Sequence, residues 1–174
     1  TLITPNAPYD RFVKGEKTAL DEQQIRGMES FADLGCTACH SGANFSGPTL
    51  PVGTGFFMKF PTFPGSEFEA KYDLVKDDGR FAVTQQEADR HLFRVPTLRN
   101  IALTAPYFHT GTVPTLDLAV RVMAKTQLDK ELTDNQAADL VAFLNALSGE
   151  FPQIAMPRLP GTPNMSVIPP LDPH

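Results

Sequence analysis

Apolar residues recur at helical spacing in three separated stretches of this chain and lose that spacing elsewhere. In the first stretch, Ile25, Met28, Phe31 and Leu34 share one face. Asp21 precedes them with Gln24 three residues on, the sequence of a capping box, and Gly35 follows as a left-handed stop. This predicts a helix over 21–34. Leu116, Ala119, Val120 and Met123 line a second face behind a Thr115 cap, predicting a helix over 115–125. Leu140, Val141, Leu144 and Leu147 form a third stripe after a Thr133/Gln136 capping box, and Gly149 closes it, predicting a helix over 133–148. The expected core draws on Ile25, Met28, Phe31, Val120, Leu140, Phe143 and Leu144.

Residues 41–114 show little periodicity and are punctuated by Pro48, Pro51, Pro61, Pro64, Pro96, Pro106 and Pro114. Phe56, Phe57, Phe60, Phe63 and Phe68 crowd its first half, so part of this stretch is expected to be buried. An ordered loop of that length needs an organiser, and a large apolar cofactor is one. Seven of the 16 prolines lie beyond residue 150 with no helical pattern. The expected division is a folded domain over 1–150 and an extended Pro-rich arm over 151–174. The opening, Thr1 to Pro8, has no basic start and no long apolar run, and reads as a mature terminus or a cut inside a longer protein.

Composition narrows the function classes. With 174 residues, 41% hydrophobic and 20% charged, the chain is globular and large enough to bury a core without disulfides. A net charge of −5 argues against nucleic acid, which needs a basic face. No apolar run reaches the length of a membrane span.

The two cysteines stand together in Cys36-Thr37-Ala38-Cys39-His40. This is the attachment signature of c-type haem. Two thiols a helical turn apart add to two vinyl groups of one porphyrin, and the adjacent His40 reaches the iron. The competing readings are a thioredoxin-like pair, which lacks its parallel-strand context here, and half a zinc site, which lacks further cysteines. Covalent haem also implies the bacterial periplasm, because the attachment chemistry lies outside the cytoplasmic membrane.

The sixth iron position separates a carrier from an enzyme: a second protein ligand makes an electron carrier, an open position binds peroxide, oxygen or CO. Met28, Met58, Met123, His91 and His109 are the candidates, with Met156 and Met165 poorly placed in the tail. Met28 reads as core, and Met58 follows His40 by only eighteen residues. Met123 lies on an apolar helix face well downstream, where an ordinary packing methionine is the competing reading. Arg80, Arg94 and Arg99 suit haem propionates or plain solvent.

Several motifs carry a resemblance. Gly27 and Phe31 before the haem motif, and Leu140 to Leu144 near the end, resemble the crossing first and last helices of the cytochrome c fold. The run Phe93-Arg94-Val95-Pro96-Thr97-Leu98-Arg99-Asn100, continued through Ala105-Pro106-Tyr107-Phe108-His109-Thr110-Gly111 to Met123, resembles the bacterial di-haem cytochrome c peroxidases and the MauG-type proteins grouped with them. Gly79-Arg80-Phe81 with Val83-Thr84 fits the same pattern. The similarity covers roughly 1–155 and matches only the C-terminal half of that family. It implies an all-α, cytochrome c-like domain with covalent haem and long ordered loops.

The resemblance also implies roles. Cys36 and Cys39 hold one haem c, His40 is the proximal ligand and Met123 the distal one. Methionine there favours the peroxidase branch, since MauG-type members can carry tyrosine. His109 matches a histidine near the haem edge, although a structural histidine is an equal reading of the residue itself. Thr104 and Pro106 match positions whose backbone carbonyls help bind Ca²⁺ at the interface with an N-terminal peroxidatic haem domain. In the family this half takes electrons from a small cytochrome c or a copper protein (cupredoxin) and passes them to that second haem, where hydrogen peroxide becomes water. On this reading the chain is the electron-transfer part of a cytochrome-c peroxidase, with no catalytic residue of its own and room for a homodimer of the full-length protein. The alternative is an autonomous five-coordinate haem enzyme or ligand-binding haem protein, with His109 or Tyr107 as the distal group. If haem forms much of the core, a Cys36→Ser/Cys39→Ser chain should lose cooperative unfolding in a denaturant titration; a native-like transition would refute this.

Overall fold

The computed structural model describes residues 4–51 and 53–150, so the expected arm over 151–174, with Met156 and Met165, lies outside the described residues. Helix α1 (Pro8–Val13) precedes α2 (Glu22–Asp33), which runs into a 3-10 turn over Cys36–Ala38. Strand β1 (Phe57–Lys59), two short helices α3 (Glu67–Lys71) and α4 (Phe81–Thr84), and strand β2 (Leu92–Arg94) follow. Helices α5 (Leu116–Leu128) and α6 (Asp134–Asn145) complete the described chain. The architecture is predominantly helical, with a single antiparallel strand pair among the described residues.

The capping signals act as expected. The Asp21 carboxylate accepts from Gln24 N at 2.8 Å while Gln24 Oε1 accepts from Asp21 N at 3.0 Å, and Thr133 and Gln136 form the same reciprocal pair. Gly35 is left-handed at φ 97° and ends α2. Two boundaries differ from expectation. Helix α5 runs on to Leu128, because its stop is Asp129 in a left-handed conformation, a residue that the glycine-seeking pattern passed over. Helix α6 stops at Asn145, short of Gly149, because the chain there turns to bond the N-terminal segment. Glu150 N donates to the Pro5 carbonyl at 2.9 Å, and Tyr9 N to that of Ala146 at 3.1 Å.

Helices α2 and α6 cross at Gly27. A Cβ there would lie 1.9 Å from the Asp139 carbonyl oxygen and 2.8 Å from Phe143 Cβ, so only glycine admits this approach. Around the crossing, Phe31, Phe45, Leu140, Phe143, Leu144 and Leu147 form one buried cluster, with Met28 and Val120 packed against it. Each fully buried Leu or Phe is worth about 1.5–3 kcal/mol. Ile25, an expected core residue, is half-buried and belongs to neither cluster.

A second cluster joins the middle of the chain to α5: Phe60, Leu74, Tyr107, Val113, Ala119 and Val122. Backbone bonds hold it together. Thr62 N and Phe63 N both donate to the Thr126 carbonyl, at 3.0 and 2.9 Å, and the β pair sets Met58 opposite Phe93. Of the crowded phenylalanines, Phe60 is buried, Phe56, Phe57 and Phe68 are half-buried and Phe63 is exposed. Ile101 and Leu116 pack against both clusters.

Gly27→Ala should lower the stability of the haem-loaded protein by about 1–3 kcal/mol, the usual cost of overpacking a tight contact. A thermal midpoint equal to wild type would mean that α2 and α6 have room to separate.

Candidate haem site

The site begins where α2 ends. Gly35 turns the chain into the 3-10 turn, and the Cys36 carbonyl accepts from Cys39 N at 3.2 Å and His40 N at 2.9 Å. These bonds set the two cysteines one turn apart with His40 directly after them. Lys130 steadies the junction by donating to the Leu34 carbonyl at 2.9 Å, one of the orphan acceptors at the end of α2.

Both thiols are free and half-buried. Burial pushes the Cys36 pKa up to about 11 and raises that of Cys39. A thioredoxin-like pair needs a thiolate with a lowered pKa, so this environment speaks against that reading. Among the described residues, no three His, Cys, Asp or Glu side chains assemble into a metal-binding group, which likewise leaves the zinc reading without partners.

His40 is buried, and its Nδ1 lies 2.9 Å from the Phe45 carbonyl. A carbonyl can only accept, so Nδ1 carries the proton and Nε2 keeps its lone pair. Burial lowers the pKa of the ring and holds it neutral. A neutral imidazole with one nitrogen committed to a carbonyl is the form that ligates metal.

Met123 sits half-buried on α5, packed against the second cluster, whereas Cys36 packs against the first and His40 lies 6.4 Å from the Phe31 ring of that cluster. The donor set suits a haem: two protonated thiols, a neutral imidazole and a thioether, backed by two apolar clusters that share Ile101 and Leu116. The residues present therefore fit the group.

The other candidates fall elsewhere. Met28 packs in the first cluster, and Met58 is half-buried in β1. His91 bonds the Asp77 carbonyl through Nδ1 at 3.0 Å. His109 is exposed and stacks on Phe93 with centroids 3.9 Å apart, while its edge meets Phe60 at 6.0 Å. Tyr107 is buried within the second cluster. Arg80 pairs with Asp89 at 3.0 Å over the Phe57 ring. Arg80 and Arg94 share an open groove of about 560 Å³ with Phe57, Val83 and Phe93. Arg99 pairs with Asp10 at 2.7 Å. Thr104 and Pro106 are exposed, and the Thr104 hydroxyl donates to the Ile101 carbonyl at 3.0 Å.

Sequence reasoning missed Phe45. Its contribution is a backbone carbonyl, which has no side-chain signature. The one available signal was the pair Gly42 and Gly47 bracketing it, which marks a tight loop.

No family model matches the chain. Individual proteins do. It is 44% identical over 163 residues to the cytochrome c551 peroxidase of Pseudomonas aeruginosa, covering 93% of this chain and 44% of that protein. It is 39% identical over 164 residues to the cytochrome c551 peroxidase of Nitrosomonas europaea, covering 94% of this chain and 46% of the relative. Among solved structures, a MauG-like protein associated with microbial copper homeostasis superposes with a TM-score of 0.64 at 26% identity, over 83% of this chain and 52% of that one. The chain thus spans about half the length of the relatives it matches. Nearly all of its own length is accounted for by that match, and the chain belongs to the family of bacterial di-haem cytochrome c peroxidases and MauG-type proteins, which carry haem c.

Proposed function

We propose that this chain is the electron-entry half of a di-haem cytochrome c peroxidase, binding one haem c through Cys36 and Cys39 with His40 and Met123 as axial ligands. The observation that carries the proposal is the arrangement of the two donors: a buried, neutral His40 at one apolar cluster and Met123 at the adjoining one. A haem so held would supply a one-electron iron couple, whose potential the Met123 thioether would raise.

The chain's own residues define the rest. The Phe45 carbonyl fixes the tautomer and orientation of His40. His40 is itself buried, and the low dielectric there strengthens its bond to the Phe45 carbonyl. With His40 and Met123 both committed to the haem, the chain by itself would relay electrons rather than bind peroxide. Peroxide reduction, in which one H₂O₂ with two electrons and two protons gives two waters, belongs to the N-terminal peroxidatic half that the full-length relatives have room for.

The donor is a small cytochrome c or copper protein docking transiently over a small interface. The compartment is the periplasm; among the described residues no helix is long and apolar enough to cross a membrane. The carbonyls of Thr104 and Pro106, exposed in the loop before α5, offer hard oxygen ligands to Ca²⁺ where the two halves meet.

Reduced, haem-loaded protein should give no CO difference spectrum, and Met123→Ala should give a strong one. Ready CO binding by the wild-type chain would overturn the relay reading in favour of an autonomous five-coordinate haem protein.

A further inference from the structure

Three consecutive carbonyls in the loop after His40 are each captured. The Phe45 carbonyl accepts a hydrogen bond from His40 Nδ1 at 2.9 Å. The two before it are held by a segment more than fifty residues downstream. Arg99 Nε donates to the Ala43 carbonyl at 3.0 Å, while the Thr97 hydroxyl, at 2.7 Å, and Leu98 N, at 3.3 Å, donate to that of Asn44. The loop needs such holding. Phe45 has φ 52°, a left-handed conformation that costs a non-glycine residue of order 1–3 kcal/mol and persists only where the surroundings impose it.

Both side-chain donors are themselves fixed. Thr97 Oγ1 accepts from Arg99 N at 3.1 Å, which leaves its hydroxyl proton for Asn44. The Arg99 guanidinium is clasped by Asp10 of α1 at 2.7 Å and lies over the rings of Tyr9 and Phe45, at 5.6 and 5.4 Å. Arg99 thereby covers the Phe45 ring, which also packs in T-shaped contacts with Tyr9, Phe31 and Phe143.

We propose that Thr97 and Arg99 are positioning residues for His40: they lock the Ala43–Phe45 backbone so that the Phe45 carbonyl meets Nδ1, and through that bond they set the electron donation of the imidazole and the reduction potential of the haem. This rests on His40 being the proximal ligand. An Nδ1 proton shared with a carbonyl makes the imidazole a stronger donor and favours the oxidised iron. Loosening the loop weakens that bond and moves the potential upward.

The test uses haem-loaded Thr97→Val, Thr97→Ser and Arg99→Lys proteins. Valine keeps the shape and removes the hydroxyl, serine keeps the hydroxyl, and lysine keeps the charge but not the Nε donor. Two readouts are taken: the exchange rate of the His40 Nδ1 proton by NMR of the reduced protein, and the reduction potential. Thr97→Val and Arg99→Lys should each exchange at least tenfold faster. They should also shift the redox equilibrium about threefold toward the reduced state, about 28 mV upward for a one-electron couple. Thr97→Ser should stay at wild-type values. Exchange and potential unchanged in the Val and Lys variants, or Ser behaving as Val, would overturn the proposal. A mere charge or propionate role for Arg99 survives Arg99→Lys, so an unmoved Lys variant overturns the assignment of that residue.

The two readings fail separately. If wild-type protein binds CO, the relay reading falls while the His40 Nδ1 exchange still reports on the clamp. If CO is excluded and exchange is insensitive, the relay stands and the clamp falls.

Discussion

The contact on which the rest depends is the crossing of α2 and α6 at Gly27. Its geometry is set by backbone against backbone, with the Asp139 carbonyl where a side chain would otherwise begin. Because α2 is pinned there, its last turn has a fixed position, and the Gly35 turn and the Cys-x-x-Cys-His segment leave it in one direction. Phe31 and Phe143, both at the crossing, carry the aromatic contacts to Tyr9 and Phe45. Helix packing and the setting of His40 are therefore one construction: Phe31, which helps close the crossing, also lies beside the His40 ring.

The middle of the chain obeys a different rule. Between residues 41 and 114 the elements are short, and order comes from capture of individual backbone groups. Asn100 is the clearest case. Its backbone is left-handed at φ 60°, its Nδ2 donates to Thr4 Oγ1 at 2.7 Å, its Oδ1 accepts from Gly149 N at 3.0 Å, and its own N–H reaches the Leu147 carbonyl at 3.3 Å. One residue thus ties the N-terminal segment to the end of α6 and fixes where Thr97, Leu98 and Arg99 stand. A buried polar backbone must find partners, and in a segment without helix or sheet those partners come from far along the chain.

Electrostatics follow the same division. The surface ion pairs, such as that of half-buried Arg121 with the exposed Asp117 and Asp134, add little to stability. The polar group with most consequence is the His40 imidazole, whose buried bond to the Phe45 carbonyl is strengthened by a low local dielectric; the bonds to Ala43 and Asn44 are exposed and act by fixing geometry.

Much of this was legible in the residues. Capping boxes, the left-handed stop at Gly35 and the three apolar stripes are local features, and local rules locate them: α2 and the starts of α5 and α6 lie where the pattern puts them. The haem-attachment signature is equally local, two cysteines and a histidine within five consecutive residues, and the family to which the chain belongs carries haem c. The left-handed Asp129 escaped the pattern because no glycine marks that stop, and the early end of α6 because the chain after Asn145 turns to bond the N-terminal segment. The strand pair, the two-cluster core and the clamp on residues 43–45 were decided only by the tertiary structure. Each joins groups distant in sequence, and in the clamp the partners are backbone carbonyls, which are the same at every residue and so leave no trace in the order of side chains.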